Sequence, residues 1–276
     1  TLLNLMMKMT NKKYVELATI RPNLAVEIKY RRALSKIIKM MVDDINAKIV
    51  KEYSTQEPKI AMDENIPQEF NTVIGKVFDY WHKAFDSISG VFAKTFIDAV
   101  DNHNYVQNLG AIKKLNNIDN LTENLTVRFS KESKQVLETK QAIIQEQINL
   151  ITEIPVKYKS QVNQSVFEAI TRGRDMKFLR QELEQINTVT KNRAKLIAKN
   201  QIDYATGVIN LARASDLGFT HSKWKHSSAS KVPRKSHKEA NNQIFETAKG
   251  CLIDGEYIVP GQKINCNCYT VVVMEI

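Results

Sequence analysis

The stretch of sequence that decides how this chain is interpreted is residues 220–276, THSKWKHSSASKVPRKSHKEANNQIFETAKGCLIDGEYIVPGQKINCNCYTVVVMEI. It contains a tryptophan, three histidines and all three cysteines, and it follows Gly218, a residue type common at helix ends. After Gly218 the apolar residues alternate with a period of two, as they do in strands. We therefore expect a small β element behind a body whose other long segments follow helical periodicity.

Two dipeptides in this stretch predict turns. Asp254-Gly255 lies between two apolar runs and predicts a two-residue hairpin, and Pro260-Gly261 predicts a second turn. The alternation that follows predicts one face of a terminal strand, made of Ile264, Cys266, Cys268, Thr270, Val272 and Met274.

The cysteines of this face suggest a metal site. Cys266 and Cys268 would combine with His237, and with either His226 or Cys251 as a fourth ligand, in a soft-ligand zinc site. However, only one residue separates the two cysteines, and structural zinc sites usually have at least two. The alternative is that both are small apolar residues packed on a buried face. We therefore expect no cofactor, with zinc as the alternative.

The same stretch carries the sharpest charge feature of the chain. Between His221 and Lys238 there are six basic residues and no acidic one. Such a loop binds nucleic-acid phosphates without reading sequence, and it would equally suit an acidic protein surface. The six residues are Lys223, Lys225, Lys231, Arg234, Lys235 and Lys238.

Composition limits the class of protein. The 276 residues include only 9 glycines and 6 prolines, which favours long helices, and their net charge of +10 is concentrated at the two ends. Three cysteines, two of them one residue apart, do not suit a disulfide framework and indicate a reducing compartment. No apolar run approaches the roughly 18 residues of a membrane span, and no signal peptide is recognisable, so we expect a soluble protein without a membrane partner.

The periodic segments predict an α+β protein that is predominantly helical, with long helices in the N-terminal two thirds and a small C-terminal α+β domain. Pro22 opens the first helix, Pro155 ends the third, Asp175 can cap the fifth, and Gly218 ends the last. Two helices carry apolar stripes at helical spacing, which are predicted to be buried: Leu34, Ile38, Met41, Ile45 and Ile49 on the first, and the aromatic-rich series Ile74, Phe78, Trp81, Phe85, Ile88, Phe92 and Phe96 on the second. A polar stretch over 101–124 and a short strand over 125–129 follow the second helix. The predicted helices span about 23–53, 68–100, 131–151, 157–172, 175–186 and 191–217, and the predicted domains span 1–153 and 154–276.

Two further sets of residues are candidates for function. Arg31, Arg32 and Lys36 form a cationic flank on the first helix, which is either a solvated face or a second nucleic-acid surface. His226 and His237 would be the candidate residues of a metal-dependent nuclease, but the segment lacks the carboxylates that hold a hard metal. No phosphate-binding glycine loop, His-Glu-x-x-His helix or serine elbow is present, so we predict no enzyme and assign no catalytic residue.

Taken together, the motifs of residues 224–268 resemble the phage head-morphogenesis family, the Mu protein F-like minor head proteins of tailed bacteriophages. The similarity continues upstream through 193–201, Gly173 and Ile154-Pro155, and weakly to Arg21-Pro22 and Trp81. The motifs are Trp224-Lys-His226-Ser227, Pro233-Arg234-Lys-Ser236-His237, Phe245, Lys249-Gly250, Asp254-Gly255, Ile258-Val-Pro260-Gly261 and Ile264-Asn265-Cys266-Asn-Cys268.

The resemblance implies a minor capsid protein inside the phage head, made in the host bacterial cytoplasm, associated with the portal and needed for head assembly or genome passage. Its expected partners are the portal protein, the major capsid or scaffold protein, and packaged double-stranded DNA. The alternatives are a metal-dependent nuclease and a sequence-nonspecific DNA-binding protein.

Two positions depart from the family pattern. Asn242 stands where the family usually has glycine, and Asn267 stands where it usually has arginine between the cysteines. Asparagine tolerates the left-handed backbone conformation, so we expect the turn at Asn242 to survive. The loss of arginine removes a fork for binding phosphate or carboxylate at position 267.

Overall fold

The computed structural model describes residues 14–17, 19–55, 68–113, 132–173, 175–228 and 232–275. Across these ranges it contains five helices and six strands, and none of the helices is both long and apolar enough to cross a membrane. The helices are α1 Leu24–Thr55, α2 Gln68–Lys113, α3 Lys134–Thr171, α4 Met176–Asp216 and α5 Lys235–Glu239. The strands are β1 Tyr14–Glu16, β2 His221–Lys225, β3 Ile244–Glu246, β4 Cys251–Ile253, β5 Glu256–Ile258 and β6 Tyr269–Glu275.

This architecture confirms the predicted α+β class with a helical majority. The chain forms two compact units. Unit 1 combines residues 1–27, 96–143 and 199–276, and unit 2 combines residues 28–95 and 144–198. The predicted division at 153/154 stays a prediction, and that position lies inside α3. The predicted strand at 125–129 lies outside the described residues.

Unit 2 is built on helical stripes of apolar side chains. The first turn of α1 belongs to unit 1 and is capped by Asn23, whose side-chain oxygen accepts hydrogen bonds from the amides of Ala25 at 2.9 Å and Val26 at 3.4 Å; the rest of α1 belongs to unit 2. The stripe that the sequence predicted on α1 is fully buried. Its members are Leu34, Ile38, Met41, Ile45 and Ile49.

The aromatic stripe on α2 drifts by one residue along the helix. Phe78, Trp81 and Phe85 are buried as predicted, but Ser89 and Ala93 then take the buried positions, while Ile88 and Phe92 are only half-buried. A straight α-helix has 3.6 residues per turn, so a pattern of alternating steps of three and four moves slowly around its surface.

Helix α3 does not end before Pro155, as the sequence predicted, but continues to Thr171. A proline inside a helix costs about 3 kcal/mol, since it removes an amide donor and crowds the preceding turn. Ile151, Ile154, Tyr158 and Val162 are each at most 1% exposed. Because burying such a side chain contributes about 1.5–3 kcal/mol, the packing of this one stripe outweighs the cost.

Helix α2 continues to Lys113, beyond its predicted end near residue 100 and into the stretch expected to be a polar connection. The asparagines that suggested a loop form hydrogen bonds to α4 instead. Asn104 Nδ2 donates to the carbonyl of Thr206 at 3.0 Å, and Asn108 Nδ2 donates to Asn210 Oδ1 at 3.1 Å. Tertiary partners therefore override the weak helical propensity of asparagine.

Helix α4 joins the two segments predicted at 175–186 and 191–217 into one helix. Its N-terminus is capped as predicted, because Asp175 Oδ1 accepts a hydrogen bond from the amide of Phe178 at 2.9 Å. At its C-terminus Gly218 has a φ of +90°, and the amide of Phe219 donates to the carbonyl of Ala214 at 3.0 Å. This is the glycine-terminated pattern that the sequence indicated.

An ion cluster with a buried centre connects the helices of unit 1. It consists of the buried Asp101 and Arg213, the half-buried Lys140 and the exposed Glu132. Arg213 contacts Asp101 Oδ1 through Nη2 at 2.7 Å and Nε at 2.9 Å. Lys140 Nζ lies 2.8 Å from both Asp101 Oδ2 and Glu132 Oε1. Burial alone would raise the pKa of Asp101, but the hydrogen bonds from Lys140 and Arg213 outweigh it and lower that pKa.

The β region of unit 1 contains a four-stranded antiparallel sheet in the order β1-β6-β2-β3 and a separate hairpin of β4 and β5. The hairpin confirms the Asp254-Gly255 prediction: both residues have positive φ, at 52° and 82°, and Cys251 pairs with Ile258. Strand β1 was not predicted. It pairs with β6 along the register Tyr14 to Glu275.

The terminal strand is shorter than the sequence predicted. Strand β6 begins at Tyr269, so Ile264, Cys266 and Cys268 precede it in irregular backbone rather than sharing a strand face. The reason is the backbone at Asn265, whose φ of +58° is a left-handed conformation that an extended strand does not contain. The turn at Pro260-Gly261 is present, with a φ of +91° at Gly261.

Candidate functional site

The structure brings together three residues that the sequence proposed as metal ligands. His237 Nδ1 lies 3.3 Å from Cys266 Sγ and 3.8 Å from Cys268 Sγ, and the three ligand atoms are all within 4.8 Å of one another. Each of the three residues is at most 8% exposed. We call this group the cysteine cluster.

Helix α5 and strand β2 position the histidine. Arg234 precedes α5, and its Nη2 donates to the carbonyl of Ile264 at 3.0 Å, which connects this end of the helix to the loop that carries the cysteines. The ring of His237 meets the fully buried indole of Trp224 edge to face, with centroids 5.1 Å apart and an interplanar angle of 86°. The imidazole is thus fixed against an aromatic wall.

The loop over 259–268 carries the cysteines and is pressed closely against α4. A Cβ atom on Gly207 would lie 2.6 Å from the carbonyl oxygen of Pro260, and one on Gly261 would lie 2.7 Å from that of Asp203. Glycine is required at both positions, because any larger residue would separate the two backbones.

Side chains of α4 also fix the asparagines of the loop. Asn200 Oδ1 accepts a hydrogen bond from the amide of Asn265 at 2.9 Å, which stabilises the left-handed residue immediately before Cys266. Lys199 Nζ donates to Asn267 Oδ1 between the cysteines. In this chain position 267 therefore contacts α4, where the family pattern would have arginine.

The two thiols differ in their electrostatics. The pKa of Cys266 falls to about 5, because its sulfur accepts a hydrogen bond from the Cys268 thiol and others from the amides of Cys268 and Gly261. The pKa of Cys268 is raised, chiefly because it donates its proton to Cys266 and also because it is buried. The amide of Ser227 acts in the opposite direction on Cys268. Backbone donors therefore face both sulfurs.

Asp203 is a buried carboxylate beside the same loop. Burial raises its pKa to about 7, and the nearest ion-pair partner among the described residues, Lys199 Nζ, is 3.6 Å from Oδ2. The sequence gave no reason to single out Asp203. Like Lys199, Asn200 and Gly207, it lies on the α4 surface that supports the loop. Of these four residues only Lys199 and Asn200 belong to the 193–201 motif that the sequence singled out.

The two candidates for a fourth ligand do not join the cysteine cluster. Cys251 is fully buried in the apolar core of the β region, and burial raises its pKa to about 11. His226 is half-buried, and its amide donates to Asn241 Oδ1 at 2.9 Å. Asn242 has a φ of +68°, the left-handed conformation expected at the position where the family has glycine. His237, at 3% exposure, is inaccessible to a phosphodiester at the surface.

The predicted basic residues fall into two groups. Lys223 and Lys225 lie on β2 and both bind Glu16 Oε1, at 2.6 and 3.0 Å, so their charges are partly neutralised. Arg234, Lys235 and Lys238 are exposed around α5. The sixth residue, Lys231, lies outside the described residues. Arg31, Arg32 and Lys36 lie on the part of α1 that belongs to unit 2.

The fold and the site together define a predominantly helical α+β protein whose C-terminal β region is built around a His-Cys-Cys cluster. Residues 160–271 match the family model described as Phage Mu protein F like protein. The resemblance seen in the sequence is thereby confirmed over that segment, which contains all of α4, helix α5 and the whole cysteine cluster.

A relative extends the similarity over most of the chain. An uncharacterized protein of Haemophilus influenzae (strain Rd) is 26% identical over 262 residues, which cover 93% of this chain and 55% of the relative. The chain therefore spans about half the length of the relative that it matches. No solved structure matches this chain.

Proposed function

We propose that this chain is a structural minor head protein of a tailed phage that acts in head morphogenesis. The observation that carries the proposal is the match of residues 160–271 to the Phage Mu protein F like family. The matched segment contains the turns, the basic helix α5 and the cysteine cluster, so the similarity covers the distinctive part of the chain as well as its helices.

The proposed role is structural and assigns no catalytic step to this chain. The histidine that a nuclease hypothesis would use, His237, is buried between Trp224 and the two cysteines. The neighbouring Asn241 and Asn242 support the backbone: Asn241 accepts from the amide of His226, and Asn242 accepts from Lys225 at 2.9 Å. These contacts favour a structural role for His237, Asn241 and Asn242 in the β region.

The family resemblance supports a location inside the phage head near the portal. The proposed partners are the portal protein, the major capsid or scaffold protein, and packaged double-stranded DNA. The exposed residues Arg234, Lys235 and Lys238 are the proposed DNA contacts in unit 1, because their charges face solvent, whereas Lys223 and Lys225 already bind Glu16.

Fractionation of phage particles tests the location. An antibody or an epitope tag on this chain would be followed through procapsids, mature heads and ghosts, and crosslinking followed by mass spectrometry would identify its neighbours. We expect a few copies per head and crosslinks to the portal. Absence of the chain from procapsids and mature virions alike would contradict the proposal.

A pair of matched charge reversals tests the DNA surface. Lys235→Glu/Lys238→Glu changes α5, and Arg32→Glu/Lys36→Glu makes the same charge change on exposed residues of α1. Binding to a short duplex would be measured by fluorescence anisotropy at several salt concentrations. We expect the α5 variant to bind more weakly and its log–log salt slope to decrease by about 2, one for each lost phosphate contact.

The control variant on α1 decides between the two basic surfaces. Equal losses in both variants would show that net charge alone drives binding, and a loss only in the α1 variant would move the interface to unit 2. Binding by the wild type that does not change with salt would exclude phosphate contacts altogether.

A further inference from the structure

We propose that His237, Cys266 and Cys268 bind one zinc ion, and that this ion joins α5 to the cysteine-bearing loop as a structural element of the β region. The inference concerns the internal chemistry of this unit, and it holds whether or not the chain is a head protein. It rests on the geometry of the donor atoms, on their chemical type and on their surroundings.

The distances suit a tetrahedral ion. Zinc lies about 2.3 Å from cysteine sulfur and about 2.0 Å from histidine nitrogen, so in a tetrahedral site the nitrogen and each sulfur are about 3.5 Å apart. The observed separations from His237 Nδ1 are 3.3 Å to Cys266 and 3.8 Å to Cys268. One imidazole N–H can donate only one good hydrogen bond, so hydrogen bonding alone would draw one sulfur close to Nδ1. Both sulfurs instead lie at similar distances from this nitrogen, as they would around a shared ion.

The donor set selects the metal. Two thiolates and an imidazole are soft and borderline ligands that favour zinc over magnesium or calcium, which require oxygen donors. All three residues are buried, and burial of an uncompensated negative charge is costly. A divalent cation would compensate two thiolates directly. Three protein ligands leave one coordination position for water or for a group contributed from elsewhere.

The backbone around the sulfurs is arranged for thiolates. The amides of Cys268 and Gly261 donate to Cys266 Sγ, and the amide of Ser227 donates to Cys268 Sγ. Such outer hydrogen bonds orient metal ligands and stabilise their charge. Residues 266–268 are irregular backbone rather than strand, and the two sulfurs lie within 4.8 Å of each other although only one residue separates the cysteines. This geometry answers the objection that the Cys-Asn-Cys spacing raised.

Metal analysis of the full chain tests the site. The protein would be purified in the presence of zinc, dialysed, and measured by mass spectrometry for metal content. We expect about one zinc per chain in the wild type, and a loss of at least tenfold in Cys266→Ala, Cys268→Ala and His237→Ala. The matched controls are Cys251→Ala and His226→Ala, a buried cysteine and a nearby histidine outside the cluster, which should retain the metal.

Cobalt substitution of the wild type keeps the test decisive if the variants fail to fold. We expect a thiolate-to-cobalt charge-transfer band of an intensity that corresponds to two thiolates, together with the visible bands of tetrahedral cobalt. A wild type that retains no zinc and gives no such band would overturn the proposal, and the cluster would then be a group of hydrogen-bonded thiols. Retention of zinc in both Cys266→Ala and Cys268→Ala would also overturn it.

Discussion

The ion cluster and the cysteine cluster both have buried members in unit 1, but only the ion cluster contains acids paired with lysine and arginine. Asp101 and Glu132 face Arg213 and Lys140 at distances of 2.7–2.9 Å, so acids and bases compensate each other. The cysteine cluster brings two thiols and one imidazole within 4.8 Å of one another and includes no lysine or arginine. Charges compensate each other within the first cluster, whereas in the second we propose that a bound zinc ion compensates the thiolates.

The two clusters lie in the same unit but differ in the source of the charge that compensates their buried groups. A self-compensated cluster requires nothing from solution and suits the joining of long helices. A cluster of ligands without a counter-charge makes the stability of its surroundings depend on metal supply.

Removal of the acid at the centre of the ion cluster should have the largest effect. In Asp101→Ala, the buried Arg213 and the half-buried Lys140 would lose their shared buried carboxylate and keep only the exposed Glu132, and we expect the free energy of unfolding to fall by about 3–5 kcal/mol. Urea unfolding followed by circular dichroism measures this. The control is Asp43→Ala, because Asp43 pairs with Lys39 at 2.5 Å on a surface where both side chains are more than half exposed. It should cost less than about 1 kcal/mol.

The pH dependence of the stability of unit 1 should reflect the protonation of Asp203. This buried acid lacks the close ion-pair partners that Asp101 has. Burial raises its pKa to about 7 from 3.8, Lys199 opposes this, and the charges of Cys266 and Glu27 add to it. The folded state therefore holds a proton that the unfolded state releases above pH 4. The protonated Asp203 therefore contributes fully to the stability of the folded state below pH 4. This contribution decreases as the pH rises from 4 to 7, by up to about 4 kcal/mol in total.

The variant Asp203→Asn isolates this contribution. Asparagine mimics the protonated acid, so the variant should be more stable than the wild type at pH 8 and similar to it at pH 4. Urea unfolding at a series of pH values measures both. An unchanged slope between pH 4 and 7 would show that another group titrates in that range.

Metal removal should destabilise the cysteine cluster and leave the ion cluster unaffected. At free zinc about 100-fold above its dissociation constant, bound metal stabilises the folded state by about 3 kcal/mol. We expect a chelator to lower the thermal midpoint of the wild type, and to have little effect on His237→Ala, which has already lost the site. Equal shifts in both proteins would indicate that the chelator acts elsewhere.

The smallest effect should come from the contact between α4 and the cysteine loop. Gly207→Ala would place a Cβ 2.6 Å from the carbonyl oxygen of Pro260, and we expect a net loss of about 1–2 kcal/mol after the gain in helix propensity. Gly90→Ala is the matched control, because no atom lies within 4 Å of the added Cβ. It should be stabilising by about 0.5–1 kcal/mol.

Local signals in the sequence were reliable. The cap at Asp175, the stop at Gly218 and the hairpin at Asp254-Gly255 were predicted, because each depends on a few neighbouring residues and their backbone conformations. The left-handed conformation of Asn242 follows from the same reasoning. The stripe on α1 was also correct, since one helical period determines which side chains share a face.

Signals that depend on distant partners were wrong or incomplete. Pro155 predicted a helix end, but the buried stripe of α3 carries the helix through it. Asn104 predicted a loop, but Thr206 on another helix satisfies its side chain. The alternation before Tyr269 predicted a strand, but Asn200 on α4 holds Asn265 in a conformation that a strand cannot contain.

The sequence by itself determined the helical class, the turns and the identity of the donor residues, because periodicity, glycine and asparagine act over a few residues. Only the tertiary structure decided that His237 meets Cys266 across 29 positions, that Cys251 and His226 lie outside the cluster, and that Glu16 binds Lys223 and Lys225. Convergence of this kind depends on how α4, α5 and the cysteine loop pack, and packing of residues far apart in the chain is not encoded by local spacing.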